Sequence, residues 1–269
     1  MTELQKCEYE ILKRTIEIIN ENGLDYFLVC GSALGAVKYN GFIPWDDDVD
    51  IALPRPDYEK FLEIMKDFDE EGLSLQNYRF DPNVPFFFSK MRSGKTTYIE
   101  KTVADFKINH GVYIDVFPLD GYPNGKTEAF IFKIKRNFYY RVISMAFERE
   151  NRIKSILFSP LKAIVKPNIA ALVKSYEKAV SKYDISGSEL LCNFGNSPFM
   201  NECSPKWHYG NGIMMKFEDI DVRVPEKFDE YLTLKYGNWR ADLPESEKKG
   251  HHYYKICDLE KPYTYYTEK

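Results

Sequence analysis

The sequence predicts an α/β protein of the α+β kind: a small mixed sheet alternating with helices over residues 1–125, a helical insertion at 126–185, and a third portion, 186–269, that folds back to complete a pocket on the first. Three observations predict this. Before residue 125 the apolar spacing switches repeatedly between helical and strand periods. Residues 126–182 keep helical spacing and carry thirteen Lys/Arg against four Glu. From 190 onward short mixed elements rich in aromatics return. With 269 residues, 44% of them hydrophobic and 16% aromatic, the chain can bury a sizeable core.

Taken in order, Leu4, Cys7, Ile11, Leu12, Ile16 and Ile19 fall on one helical face, and Gly23 is a stop signal for a helix over 3–22. DYFLVC (25–30) has strand length, and ALGAVKY after Gly31-Ser32 is long enough for two helical turns, broken by GFIP. DVDIAL (48–53) alternates acid and apolar residues and then becomes fully apolar, as a strand entering a core does, with Pro54 and Pro56 ending it. Tyr58, Phe61, Leu62, Met65 and Phe68 define a helix over 56–68, with Pro56 suited to its first turn. Strands are expected at 73–80, 86–92, 96–101 and 111–120, the last closed by Pro118. The basic block reads as two or three amphipathic helices.

A formal charge of −4 gives no global bias toward nucleic acid, and no nucleic-acid partner is expected. The five cysteines show no metal-ligand spacing and read as free, reduced thiols. The charged N-terminal stretch predicts no secretory signal, and no apolar run has bilayer-spanning length. The expected location is cytoplasmic. The basic helices 126–182 read as a solvated face packed on the core, with peripheral contact at the inner face of an anionic membrane, or with a polyanionic substrate, as the sharper alternative.

The chemistry concentrates in GSALGAVKYNGFIPWDDDVDIALPR (31–55). In a strand, Asp48 and Asp50 point to one side, roughly 7 Å apart, and can converge on a divalent cation. Asp115, flanked by apolar residues in VYIDVF, is the candidate third acid, because a buried unpaired carboxylate is costly and metal coordination relieves it. Gly31 and Ser32, between a strand and a helix, suit a phosphate. Asp46 and Asp47 read as turn residues after Pro44-Trp45, Asp120 as a turn residue, and His110 as a loop residue.

That stretch, together with SKMRSGKTTY (89–98), GVYIDVFPLD (111–120) and YLTLKYGNWRADLPESEKKGHH (231–252), resembles the LicD family of phosphocholine transferases, which has a nucleotidyltransferase-like core. The resemblance implies transfer of phosphocholine from CDP-choline to a sugar hydroxyl of a cell-surface glycan, lipopolysaccharide or teichoic acid precursor, which could be lipid-linked, with release of CMP. It implies Mg2+, one or two ions, with Mn2+ as the alternative, held by Asp48, Asp50 and Asp115, and a metal or Asp115 activating the acceptor hydroxyl. Gly31 and Ser32 would hold donor phosphate oxygens, Lys90 and Arg92 would neutralise the leaving CMP, and one of His251 and His252, with His252 preferred, would touch phosphate or acceptor. Trp45, and with it Trp207 and Tyr209, are candidates for a choline-binding face. Alternatives are another CDP-alcohol donor (ribitol or glycerol phosphate), nucleotidyl transfer to a small molecule or an RNA end, and a non-enzymatic scaffold.

Overall fold

The computed structural model describes residues 1–267 apart from 69, 71, 148–151, 196, 197 and 251, and residues 152–158 through their backbone alone. Helix α1 (Glu3–Glu21) opens with a capping box in which Thr2 and Gln5 each bond the other's backbone N–H. Then follow β1 (Phe27–Leu28), α2 (Cys30–Tyr39), β2 (Asp50–Pro54), α3 (Arg55–Met65), β3 (Leu73–Gln76), β4 (Ser89–Ser93), β5 (Thr97–Glu100) and β6 (Tyr113–Gly121). The helices α4 (Lys126–Ser144), α5 (Arg152–Val165) and α6 (Ile169–Val180) come next. The chain ends with β7 (Leu190–Cys192), β8 (Cys203–Pro205), α7 (Lys206–Tyr209), β9 (Ile213–Phe217), β10 (Ile220–Val224), α8 (Phe228–Tyr236), β11 (Tyr254–Asp258) and α9 (Thr264–Thr267).

The central sheet has the order β1-β2-β6-β4-β3, with β7 and β8 continuing from the far end of β6. Among the described residues, only β2 and β6 of this sheet run parallel. The mixed α/β architecture is therefore the expected one. All nine positions of β6 are buried, which explains its run of apolar residues. One core joins α1, α2 and α3 to this sheet; a second forms where α4 and α6 pack with Phe86, Phe87, Phe194 and Phe199. The residues from 186 onward spread around both: β7 and β8 extend the sheet, α8 touches α2, and β11 pairs with β5.

Several local expectations need correction. The segment 25–30 holds only two strand residues, because Cys30 takes a left-handed conformation (φ 50°) and turns the chain straight into α2. Strand β6 does not stop at Pro118. Strand β4 accompanies it only to Val116 and β7 begins at Asp120, so Pro118 stands where no partner on that edge needs its missing N–H. Asp120 is a buried strand residue, not a turn: Arg55 grips it with two bonds of 2.7 and 2.6 Å and also reaches Glu177 of α6 at 2.9 Å. His110 lies in a loop as expected, though buried, with Nε2 against the Phe106 carbonyl at 3.0 Å. Cys192 and Cys203 are not free thiols; they face each other across β7 and β8 with Cα atoms 4.2 Å apart and form a disulfide, whereas Cys7, Cys30 and Cys257 are free.

Candidate active site

The sheet register builds the site. Asp50 of β2 stands beside Asp115 of β6, and Asp115 stands beside Lys90 of β4. Three adjacent strands thus present acid, acid and base in one row on one face, while Ile114 and Val116 fall on the other face. Asp48 lies just ahead of β2, where the Val49 carbonyl already accepts from Asp115 N at 2.8 Å. The strand therefore begins at Asp50 rather than at 48, yet its lead-in is strand-like. Burial, and then the charges of Asp48 and Asp115, push the Asp50 carboxyl well above the usual carboxylate range. Burial also raises Asp115, which Lys90 Nζ, 3.1 Å from Oδ1, pulls back only in part.

The Gly-Ser turn is tied to this row. Ser32 Oγ accepts from Asp50 N at 2.8 Å, so its hydroxyl fixes the head of β2 and still has its proton to donate. A Cβ on Gly31 would stand 2.8 Å from Asp46 Oδ2; only glycine lets that carboxylate lie against the start of α2.

The C-terminal portion closes the other side. Pairing of β11 with β5 carries the preceding loop over the acids, where His252 N and Nδ1 meet the two oxygens of Asp47 at 3.0 and 3.1 Å and Nε2 lies 3.8 Å from Asp48. Gly250 sits so close to Asp47 that a Cβ would collide with its carboxylate. Burial works against a charged imidazole, but the bond to Asp47 and the charges of Asp48 and Asp47 outweigh it and hold His252 at about 9. Asp47, Asp48 and His252 are, among the described residues, a trio whose ligand atoms all lie within 4.8 Å of one another. Asp47 is thus part of the site rather than a plain turn residue. His251 lies outside the described residues.

Lys90 and Arg92 share a face as expected, but they turn to Glu100. Lys90 Nζ lies 3.2 Å from one Glu100 oxygen and Arg92 Nη2 2.7 Å from the other. Arg92 also bonds Gln76 and the Gly111 carbonyl and is fully buried, so it positions Glu100 and does not face the open site. Although burial pushes the other way, Lys90 and Arg92 bring Glu100 down to about 2. Trp45 is half-buried beside the acids, edge-on to Tyr39 at 6.1 Å. Trp207 is exposed against His208 and Tyr209 is core, so neither joins Trp45.

Two site residues escape the sequence reading. Glu8 of α1 is 2% exposed, its Oε2 has no hydrogen-bond partner, and burial followed by Asp48, Asp47 and Asp46 pushes it well up. Its signal was available: an acid at position 8 on the face of Leu4, Ile11 and Leu12. Glu100 gave none, because only the fold brings Lys90 and Arg92 to it.

A mixed sheet with carboxylates on neighbouring strands and a Gly-Ser turn entering a helix beside them suits a group-transfer enzyme. Residues 23–151 match the family model described as LicD/FKTN/FKRP, nucleotidyltransferase domain. It is similar to the lipopolysaccharide cholinephosphotransferase LicD of Haemophilus influenzae, 24% identical over 243 residues that make up 85% of this chain and 87% of the relative. It also resembles uncharacterised proteins of Rickettsia prowazekii (28% identical, 45% of this chain and 48% of the relative) and Rickettsia typhi (35%, 26% and 22%).

Proposed function

We propose that the chain moves phosphocholine from CDP-choline to a sugar hydroxyl of a cell-surface glycan precursor, releasing CMP. The observation that carries this reading is the row Asp50–Asp115–Lys90, with Ser32 bonded into it and Asp48 just ahead of it, and the Haemophilus relative's name supports the phosphocholine part. The donor set fits a hard divalent cation: it is all carboxylate oxygen, and burial together with the charges of Asp48 and Asp115 raises the proton affinity of Asp50. Asp48, Asp50 and Asp115 would hold Mg2+, with Asp47 and Glu8 close behind. When bound, the ion supplies charge neutralisation at the transferred phosphate and acidifies the acceptor hydroxyl.

The chain's own groups do the rest. Gly31 and Ser32 orient donor phosphate oxygens, with the Ser32 proton as donor. His252, held by Asp47, brings a positive charge over the phosphates and tightens the loop that excludes water. Asp115, its proton affinity raised by burial, stands ready to accept the acceptor's proton, and Lys90 moderates that affinity. The test is incubation of the chain and Mg2+ with CDP-choline, CDP-ribitol, CDP-glycerol and CTP plus a glycan acceptor. CMP from CDP-choline alone supports the reading; pyrophosphate from CTP contradicts it.

One further feature supports action beside a membrane, at its inner face, on a lipid-linked acceptor. Along α4, Phe130, Ile131, Ile134 and Phe138 form one exposed stripe, and Leu161 and Ile164 of α5 are exposed too, among Lys133, Lys135 and Arg141. An apolar stripe rimmed by lysine suits an anionic lipid surface. Among the described residues no helix is long and apolar enough to cross a membrane. Flotation with vesicles containing anionic lipid tests this: co-flotation at low salt is expected, and its absence would contradict it.

A further inference from the structure

A cavity of about 260 Å³ opens beside the acids, between α2, the Trp45 loop and the segment after α8. Four aromatic residues line it: Tyr39, Trp45, Tyr236 and Trp239. Tyr39 and Trp45 meet edge-on at 81°, which makes a corner of two rings. Trp239 is fixed by its indole N–H, which bonds Asp229 at 3.0 Å. Leu34, Ile43 and Leu243 complete apolar walls. At one end stand Gly31 and Asp46, the same two residues that meet at the Gly-Ser turn.

We propose that this cavity is the head-group site for a quaternary ammonium, so that Trp45, Tyr236, Trp239 and Tyr39 select choline over polyol head groups in the donor. The ligand's identity rests on the phosphocholine reading above; the cavity's preference does not need turnover to be measured. A trimethylammonium has no N–H to donate, so hydrogen bonds cannot recognise it. Aromatic faces can. The cavity offers those. Ribitol or glycerol would have to bury several hydroxyls against leucine and ring faces, where they find few partners.

The electrostatics agree. The rings already attract the chain's own cations: Arg240 lies 4.2 Å from the Trp239 ring centroid and Lys248 5.3 Å from that of Trp45. Lys38 also lines the cavity, but its ammonium is directed at the carbonyls of Trp239, Arg240 and Ala241 (3.4, 3.2 and 2.8 Å) and at Asp242 (3.3 Å). It thereby pins the loop that carries Trp239 against α2. Connectivity agrees as well. Gly31 belongs both to the cavity wall and to the turn assigned to the donor phosphate, and in choline two carbons separate ammonium from phosphate oxygen.

The experiment is titration of the full chain with choline chloride and tetramethylammonium chloride, against ribitol, glycerol and salt-matched controls, read by tryptophan fluorescence. Of the three tryptophans two, Trp45 and Trp239, line the cavity. Saturable quenching by both ammonium salts and not by the polyols is expected. Trp45→Leu and Tyr236→Leu should each weaken it about tenfold, with Trp45→Phe restoring most of the affinity. No saturable response to either ammonium salt, or an equal response to ribitol, would overturn the assignment. So would a Trp45→Leu/Tyr236→Leu variant that turns over CDP-choline with unchanged KM, an outcome that leaves phosphocholine transfer standing. Selective choline binding without turnover of any CDP-alcohol would instead sink the transfer reading and keep the cavity.

Discussion

Lys90 is one side chain with two carboxylates to satisfy, Asp115 at 3.1 Å and Glu100 at 3.2 Å, and its ammonium lies over the Tyr113 ring. Removing it strands two buried acids. Lys90→Met should cost about 3–5 kcal/mol of stability in denaturant melts, and should slow turnover beyond what the lost stability explains. Glu100 has its own signature in pH. Its folded value of about 2 lies below the ordinary 4.5, so its contribution is fully present above 4.5 and lost as pH falls toward 2. In Glu100→Gln the acid limb of the stability curve between those values should flatten; an unchanged limb would contradict the Lys90–Arg92 clamp. His252→Ala should lower kcat/KM about 10- to 100-fold while leaving the melting temperature within a few degrees, because the ring sits on a loop over the site rather than in a core.

Elements explain which parts of this site could be read directly. The helices α1 and α3 announce themselves through apolar positions three and four apart, and β2 and β6 through apolar runs between turn residues. Asp48, Asp50 and Asp115 stand out because acids are rare beside such runs. Local pattern cannot report register, so the place of Arg92 behind Glu100 was hidden, as was the docking of β11 on β5 that delivers His252 from 205 residues away. The Cys192–Cys203 pair was hidden for the same reason: it exists only because β7 and β8 align those positions. Pro118 misled because proline is a strand breaker only where its N–H is needed. The β5–β11 ladder carries a prediction. Ile256→Pro would remove an N–H in mid-strand and should release the loop, raising KM for donor and lowering kcat together, while far-UV circular dichroism stays near that of the parent chain.

At the scale of the whole molecule, a crowd of carboxylates at one end of the sheet is held against its own repulsion by packing. Burial and Asp48 push Asp46 up to about 8 in the absence of a cation. A carboxyl raised above its ordinary 3.8 stabilises the fold below that value and loses this as pH rises toward 8, so the cation-free chain should melt lower at pH 8 than at pH 5.5. A divalent cation that binds the folded form alone reverses this loss. Mg2+ should therefore raise the melting temperature more at pH 8 than at pH 5.5, where protons compete for the same oxygens.

If the acids in and just ahead of β2, with Asp115 of β6, drive transfer from a CDP-linked donor, the reaction must fail without them. The most direct measurement is CMP release from CDP-choline with Mg2+ and acceptor, for the parent chain and for Asp48→Asn/Asp50→Asn at matched folded concentration. The parent should release CMP only when Mg2+ is present, and the double variant should lose at least about 10³-fold of that rate. Equal CMP release from the double variant, or release by the parent that persists after chelation of all divalent ions, would contradict that role of the acids.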